Sequence, residues 1–145
     1  MSTPIPDLWP SDLVGPPTTT PVAILRRQGD ALGTHTQNFV LGEVETRPIV
    51  NGTQFEHNFV IQAPFLRFRF PLLRVTHGVN PYPLSMVETD LTKSQAPSSQ
   101  FWHREAKTEL EFQDQLREFF ALSAVKSLIG SLIAQSNEIA PDEHR

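Results

Sequence analysis

From Asn38 to Ala63 apolar and polar residues exchange places almost one by one, on either side of Asn51-Gly52. "NFVLGEVETRPIV" runs up to this dipeptide and "TQFEHNFVIQA" runs away from it. A period of two is the signature of a strand, and Asn-Gly is the strongest short signal for a hairpin turn. A two-residue turn sets Val50 against Thr53. It then places Thr46 opposite His57, Val44 opposite Phe59 and Gly42 opposite Ile61, on one face with Val40 and Phe55. The other face sets Arg47 against Glu56 and Glu45 against Asn58. This register sorts apolar from polar and pairs opposite charges. Pro48 conflicts with it: it falls at a hydrogen-bonded position facing Phe55 and has no N–H. A bulge or a longer turn is therefore expected there.

The alternation resumes in "APFLRFRFPLLRVTHG". Ala63-Pro64 turns the chain back. Leu66, Phe68 and Phe70 then share one face, and Phe65, Arg67 and Arg69 the other. After Pro71 the apolar phase slips by one, to Leu73, Val75 and His77, which predicts a third strand bent at a bulge. "HGVNPYP" turns the chain again, and "YPLSMVET" predicts a fourth strand. "DLTKSQAPSSQFWHREAK" reads as a polar connection.

The flanks follow a period of 3.6 instead. Thr20 and Pro21 start a helix that carries Ile24, Leu25, Gln28 and Leu32 on one face and stops at Gly33. Gly29 inside it costs about 1 kcal/mol relative to Ala, so this helix depends on packing. Thr108 and Glu111 form a capping box before Phe112, Leu116, Phe119 and Phe120. Ser123 caps a last helix with Val125, Leu128, Ile129, Leu132 and Ile133 on its apolar face, ending near Asn137. The fold class is α+β: an N-terminal helix, a four-stranded antiparallel meander, and two C-terminal helices packed on one sheet face. Residues 20–137 form this single domain. A proline-rich extended tail over 1–19 precedes it, and a disordered tail over 138–145 follows. Six of the 13 prolines lie in the first 21 residues, so the N-terminal tail is neither helix nor inner strand. Trp9, with Leu8 and Leu13, is placed to pin that tail to the body.

Composition narrows the function classes. The absence of cysteine excludes disulfides, thiolate metal sites and cysteine nucleophiles. Lys and Arg number 12 against 16 Asp and Glu, giving a formal charge of −4 and no basic footprint for nucleic acid. "MSTPIPDLWP" has neither the basic nor the apolar region of a secretory signal. The apolar run "LSAVKSLIGSLIA" carries Lys126 and falls short of the roughly 20 residues that cross a membrane. The expectation is a cytoplasmic domain that binds neither nucleic acid nor membrane.

Candidate chemistry is sparse. No glycine-rich phosphate loop, G-x-S-x-G elbow or H-E-x-x-H pair is present. His57 lies on an apolar strand face and His77 at a strand end. Neither has partners at metal-ligand spacing, so no metal and no cofactor is expected. Glu43, Glu45 and Glu56 share a face with Arg47, the pattern of a solvated, paired sheet surface. A Phe-Trp pair within a polar connection, "FWHR", either folds back on the body or stands out as an anchor. These residues point to a non-enzymatic protein-interaction or regulatory module, of inhibitor or immunity type by size and charge alone. Its protein partner, or a second copy, would meet Phe101, Trp102, His103 and Arg104, with Arg67 and Arg69 on an uncovered sheet face. The competing reading is a small enzyme or ligand-binding protein with a pocket between sheet and helices, using His57 or His77.

Overall fold

The hairpin about Asn51-Gly52 organises the sheet in the computed structural model, which describes residues 4–15, 18–89 and 102–140. Strands β1 (Leu41–Ile49) and β2 (Gln54–Ala63) pair antiparallel in the register that the alternation predicts. Val44 lies opposite Phe59, Thr46 opposite His57, and Arg47 opposite Glu56. Val50 (φ 52), Asn51 (φ 56) and Gly52 (φ 80) all take left-handed conformations, the Gly52 N–H donates to the Ile49 carbonyl at 3.2 Å, and the Thr53 N–H donates to the Val50 carbonyl at 3.1 Å. Val50–Thr53 thus form a loop of four residues between the paired ends Ile49 and Gln54. Pro48 faces Phe55 without a shift in register, so no bulge intervenes; of the two expected alternatives, the longer turn is what the hairpin has. Because β1 is an edge strand, the missing donor disturbs only one ladder.

The bulge lies where the phase slip puts it. Phe59 faces Leu73 and Val60 faces Pro71, so Leu72 is the extra residue of β3 (Phe68–His77). Both Leu72 and Leu73 are buried in the core as a result. The connection before β3 is longer than expected. Pro64–Leu66 form a single 3-10 turn and Arg67 takes a left-handed φ of 51, so Phe65, Leu66 and Arg67 lie outside the strand.

The sheet has five strands, not four. After β4 (Leu84–Glu88) comes β5 (His103–Ala106), and the spatial order is β1-β2-β3-β4-β5. The fifth strand comes from the stretch read as a polar connection. "HREA" is too short and too polar to show an alternation. It is a strand because its backbone completes the ladder of β4, a tertiary effect that outweighs local pattern.

Helix α1 (Pro21–His35) starts at Thr20, whose hydroxyl accepts the Ala23 N–H at 3.4 Å. It runs past Gly33. The left-handed residues that end it are Gln37 and Asn38, and the Asn38 N–H closes on the Gly33 carbonyl at 2.8 Å. Gly33 serves packing instead: a Cβ there would meet Asn38 Oδ1 and Leu41 Cδ2 at 3.0 Å each. Helix α2 (Glu109–Phe120) has the expected cap, with the Glu111 N–H donating to Thr108 Oγ1 at 3.1 Å. Helix α3 (Ser123–Ile139) has Leu122, not Ser123, at its cap position and continues beyond Asn137. The first two residues of the expected C-terminal tail therefore belong to this helix, and residues 141–145 lie outside those described.

All three helices pack on the face formed by Phe59, Ile61, Leu73, Val75 and Met86. They contribute Ile24 and Leu25, then Phe112, Leu116 and Phe119, then Val125 and Leu132. The N-terminal tail is not pinned to the body. Trp9 is 75 % exposed and Leu8 81 %, and every described residue from Pro4 to Gly15 is exposed. Thr19 ties the chain to the body: its N–H donates to Glu109 at 3.3 Å and its carbonyl accepts the Tyr82 hydroxyl at 3.0 Å.

Candidate functional site

The residues expected to meet a partner do not form one patch. Trp102 is 8 % exposed, its ring 4.8 Å from that of Phe119. Arg104 covers the indole at 5.1 Å and reaches Glu118 at 3.2 Å. His103 is opposite Val87 on the outer sheet face. Arg69 pairs with Glu45, while Arg67 stands on the turn before β3. Phe101 lies outside the described residues. Trp102 is thus part of the core, and the folded-back reading of "FWHR" describes it.

The outer sheet face is polar and internally paired. Gln62 donates to Glu43, and Arg47 and Asn58 both donate to Glu56. Arg74 adds a second cation 3.8 Å from Glu56. Glu56 is buried beneath these side chains rather than solvated. Burial alone would raise its pKa. The hydrogen bonds from Arg47 and Asn58 and the charges of Arg47 and Arg74 outweigh that and hold it below the ordinary carboxylate value.

Two histidines meet on the inner face near the hairpin end. His57 Nε2 and His77 Nε2 are 2.8 Å apart, Thr46 Oγ1 is 2.8 Å from His57 Nδ1, and His77 Nδ1 is 2.7 Å from the Gly78 carbonyl. The carbonyl only accepts, so His77 Nδ1 donates to it. A neutral His77 then offers a lone pair at Nε2, which takes the His57 Nε2 proton, and His57 Nδ1 accepts the Thr46 hydroxyl. One proton, not two, fits between the facing Nε2 atoms. Burial first, then the charges of His77 and Arg26, push the pKa of His57 down to about 4. Thr46, His57 and His77 have the outline of nucleophile, base and orienting group. The electrostatics oppose that use, since an imidazole with this pKa is a weak base at neutral pH. Among the described residues no three His, Asp or Glu side chains gather where a metal ion would sit.

A mostly apolar concavity lies elsewhere. A cleft of about 490 Å³ opens between the second half of α1, the middle of α3 and the sheet. Phe59, Ile61 and Leu72 form its floor. Leu32 stands on the α1 side, Val125, Ile129 and Ile133 on the α3 side, and Phe120 closes one end. Its polar atoms come from Gln28 and His35 on one wall and Lys126 on the other. Gly130 also lines it, and a Cβ added there would meet nothing within 4 Å. The cleft includes none of Thr46, His57 and His77.

Sequence reasoning placed Leu32, Ile129 and Ile133 on core-facing stripes. It did not show that α1 and α3 stand apart over the sheet. The available signal was Gly130 and Lys126 set beside the apolar stripe of α3, a break in an otherwise continuous apolar surface. Compared with protein-family models, curated proteins and solved structures, the chain gives no match.

Proposed function

We propose that this chain is a non-enzymatic protein-interaction module whose contact site is the cleft between α1, α3 and the sheet. One observation carries the reading: an open, apolar recess of about 490 Å³ whose polar side chains, among the described residues, are Gln28, His35 and Lys126. Ligand sites have this size and this balance of apolar wall to few polar groups. The rim favours an apolar segment or molecule that carries negative charge beside its apolar part, because Lys126 is cationic and, among the described residues, no carboxylate lines the recess. The outer sheet face is the weaker candidate, since its charges are already paired with one another and its expected anchor, Trp102, is buried. A pocket between sheet and helices also belongs to the ligand-binding alternative, with His35 at its rim in place of His57 or His77.

The test is saturable binding of the anionic, environment-sensitive dye anilinonaphthalene sulfonate to the full chain. About one dye per chain is expected, with a blue-shifted emission. Gly130→Leu places a side chain in the recess while favouring the helix, and should abolish the signal without loss of stability. Dye emission unchanged in Gly130→Leu would remove the cleft as the site.

A further inference from the structure

We infer that the occupant of this cleft is the N-terminal segment Pro4–Val14 of a second copy of the chain. The inference rests on the reading of the cleft as a contact site and names its partner. The segment carries Ile5, Leu8, Trp9, Leu13 and Val14, each between 63 % and 89 % exposed. So many large apolar side chains together on one short stretch mark a surface that meets something else. Trp9 and Leu8 form its compact centre. The Trp9 N–H donates to Asp7 Oδ1 at 3.1 Å, a local turn that sets the two side chains in place before any contact is made. Prolines at 4, 6 and 10 restrict the rest of the backbone, so docking orders less chain than a freely jointed segment would.

The charges match. Between residues 4 and 15 the only ionisable side chains are Asp7 and Asp12. The recess offers Lys126 and His35. Arg26, Arg27 and Asp30 of α1 lie outside its lining and share a neighbouring groove. The segment leaves its own cleft open, since every described residue from Pro4 to Gly15 is exposed. Its base is held at Thr19 by Glu109 and Tyr82, neither of which lines the cleft. Ten residues separate Trp9 from the Thr20 cap, a reach of at most about 35 Å, enough to cross to a neighbouring molecule. Such a contact joins two different surfaces. It either closes reciprocally into a twofold dimer or runs on as open chains.

Sedimentation velocity on the full chain tests this, with two variants that each remove one half of the contact. Leu8→Ala with Trp9→Ala alters side chains that are mostly exposed, so the fold is preserved. Gly130→Leu fills the cleft. The unaltered chain should self-associate in a concentration-dependent way, and each variant alone should be monomeric. An equimolar mixture of the two should form a one-to-one complex, because one supplies the cleft and the other the segment. The double variant should also bind anilinonaphthalene sulfonate at least as well as the unaltered chain, its competitor being gone. A chain that stays monomeric while its cleft takes the dye overturns this inference and leaves the cleft reading standing. Self-association that survives both variants also overturns it. A cleft that takes neither dye nor segment overturns both readings.

Discussion

Gly29 of α1 and Gly42 of β1 press backbone against backbone. A Cβ on Gly29 would lie 2.8 Å from the Gly42 carbonyl carbon, and one on Gly42 would lie 2.7 Å from the Gly29 Cα. Neither position has room for a side chain. The contact seats α1 on the edge strand, so that its second half forms one wall of the cleft whose other wall is α3. It also explains a helix that contains a glycine at its middle: the propensity lost there is the condition for close packing.

Gly29→Ala should therefore destabilise the chain although alanine is the better helix former. The gain of about 1 kcal/mol in propensity is opposed by overpacking against a rigid backbone, which costs about 1–3 kcal/mol or more. Gly130→Ala, facing open space, should instead stabilise by roughly 0.5–1 kcal/mol. Urea unfolding of both variants gives the comparison, and equal shifts of one sign would refute the close-packing argument.

Trp102→Ala should cost about 3–5 kcal/mol, the range for a lost core aromatic. The indole packs on Phe119 and is covered by Arg104. A melting temperature within a degree or so of the unaltered chain would mean that Trp102 is not part of the core.

Stability should fall as the solution is acidified, in two stages. His57 in the folded chain has a pKa of about 4 against an ordinary 6.5. Between those values the unfolded chain takes up a proton that the folded chain refuses. Stability is complete above about pH 6.5 and declines toward pH 4, by roughly 3 kcal/mol at about 1.4 kcal/mol per pH unit. Glu56 is shifted downward, so its contribution is present above the ordinary carboxylate pKa and is lost at lower pH still. His57→Phe should flatten the first stage and leave the second. Unfolding free energies measured from pH 7 to pH 4 with the same slope in both proteins would assign the first stage to other groups.

The hairpin was legible because three independent signals agreed. Asn51-Gly52 set the turn, Val44 and Phe59 set the inner face, and Arg47 with Glu56 set the outer one. The bulge at Leu72 was legible from the slip in phase after Pro71. Strand β5 was not, because "HREA" owes its conformation to the backbone of β4 rather than to its own side chains. Gly33 misled for a related reason: a glycine that permits contact with Leu41 looks, in one dimension, like a glycine that ends a helix. The histidines were placed correctly on the inner face, but their pairing joins residues 20 positions apart and depends on the β2–β3 register through the bulge. The cleft was the least legible. Periodicity shows which face of a helix is apolar and says nothing of the gap between two helices that share a sheet.

Methyl chemical shifts of the full chain, recorded as anilinonaphthalene sulfonate is added, test the central claim most directly. Binding in the cleft should move the methyl signals of Leu32, Ile61, Leu72, Val125, Ile129 and Ile133, and leave those of Val44 and Val87 in place. Shifts confined to Val87 and the outer sheet face, or scattered without saturation, would contradict the assignment of this cleft as the site where the chain meets its partner.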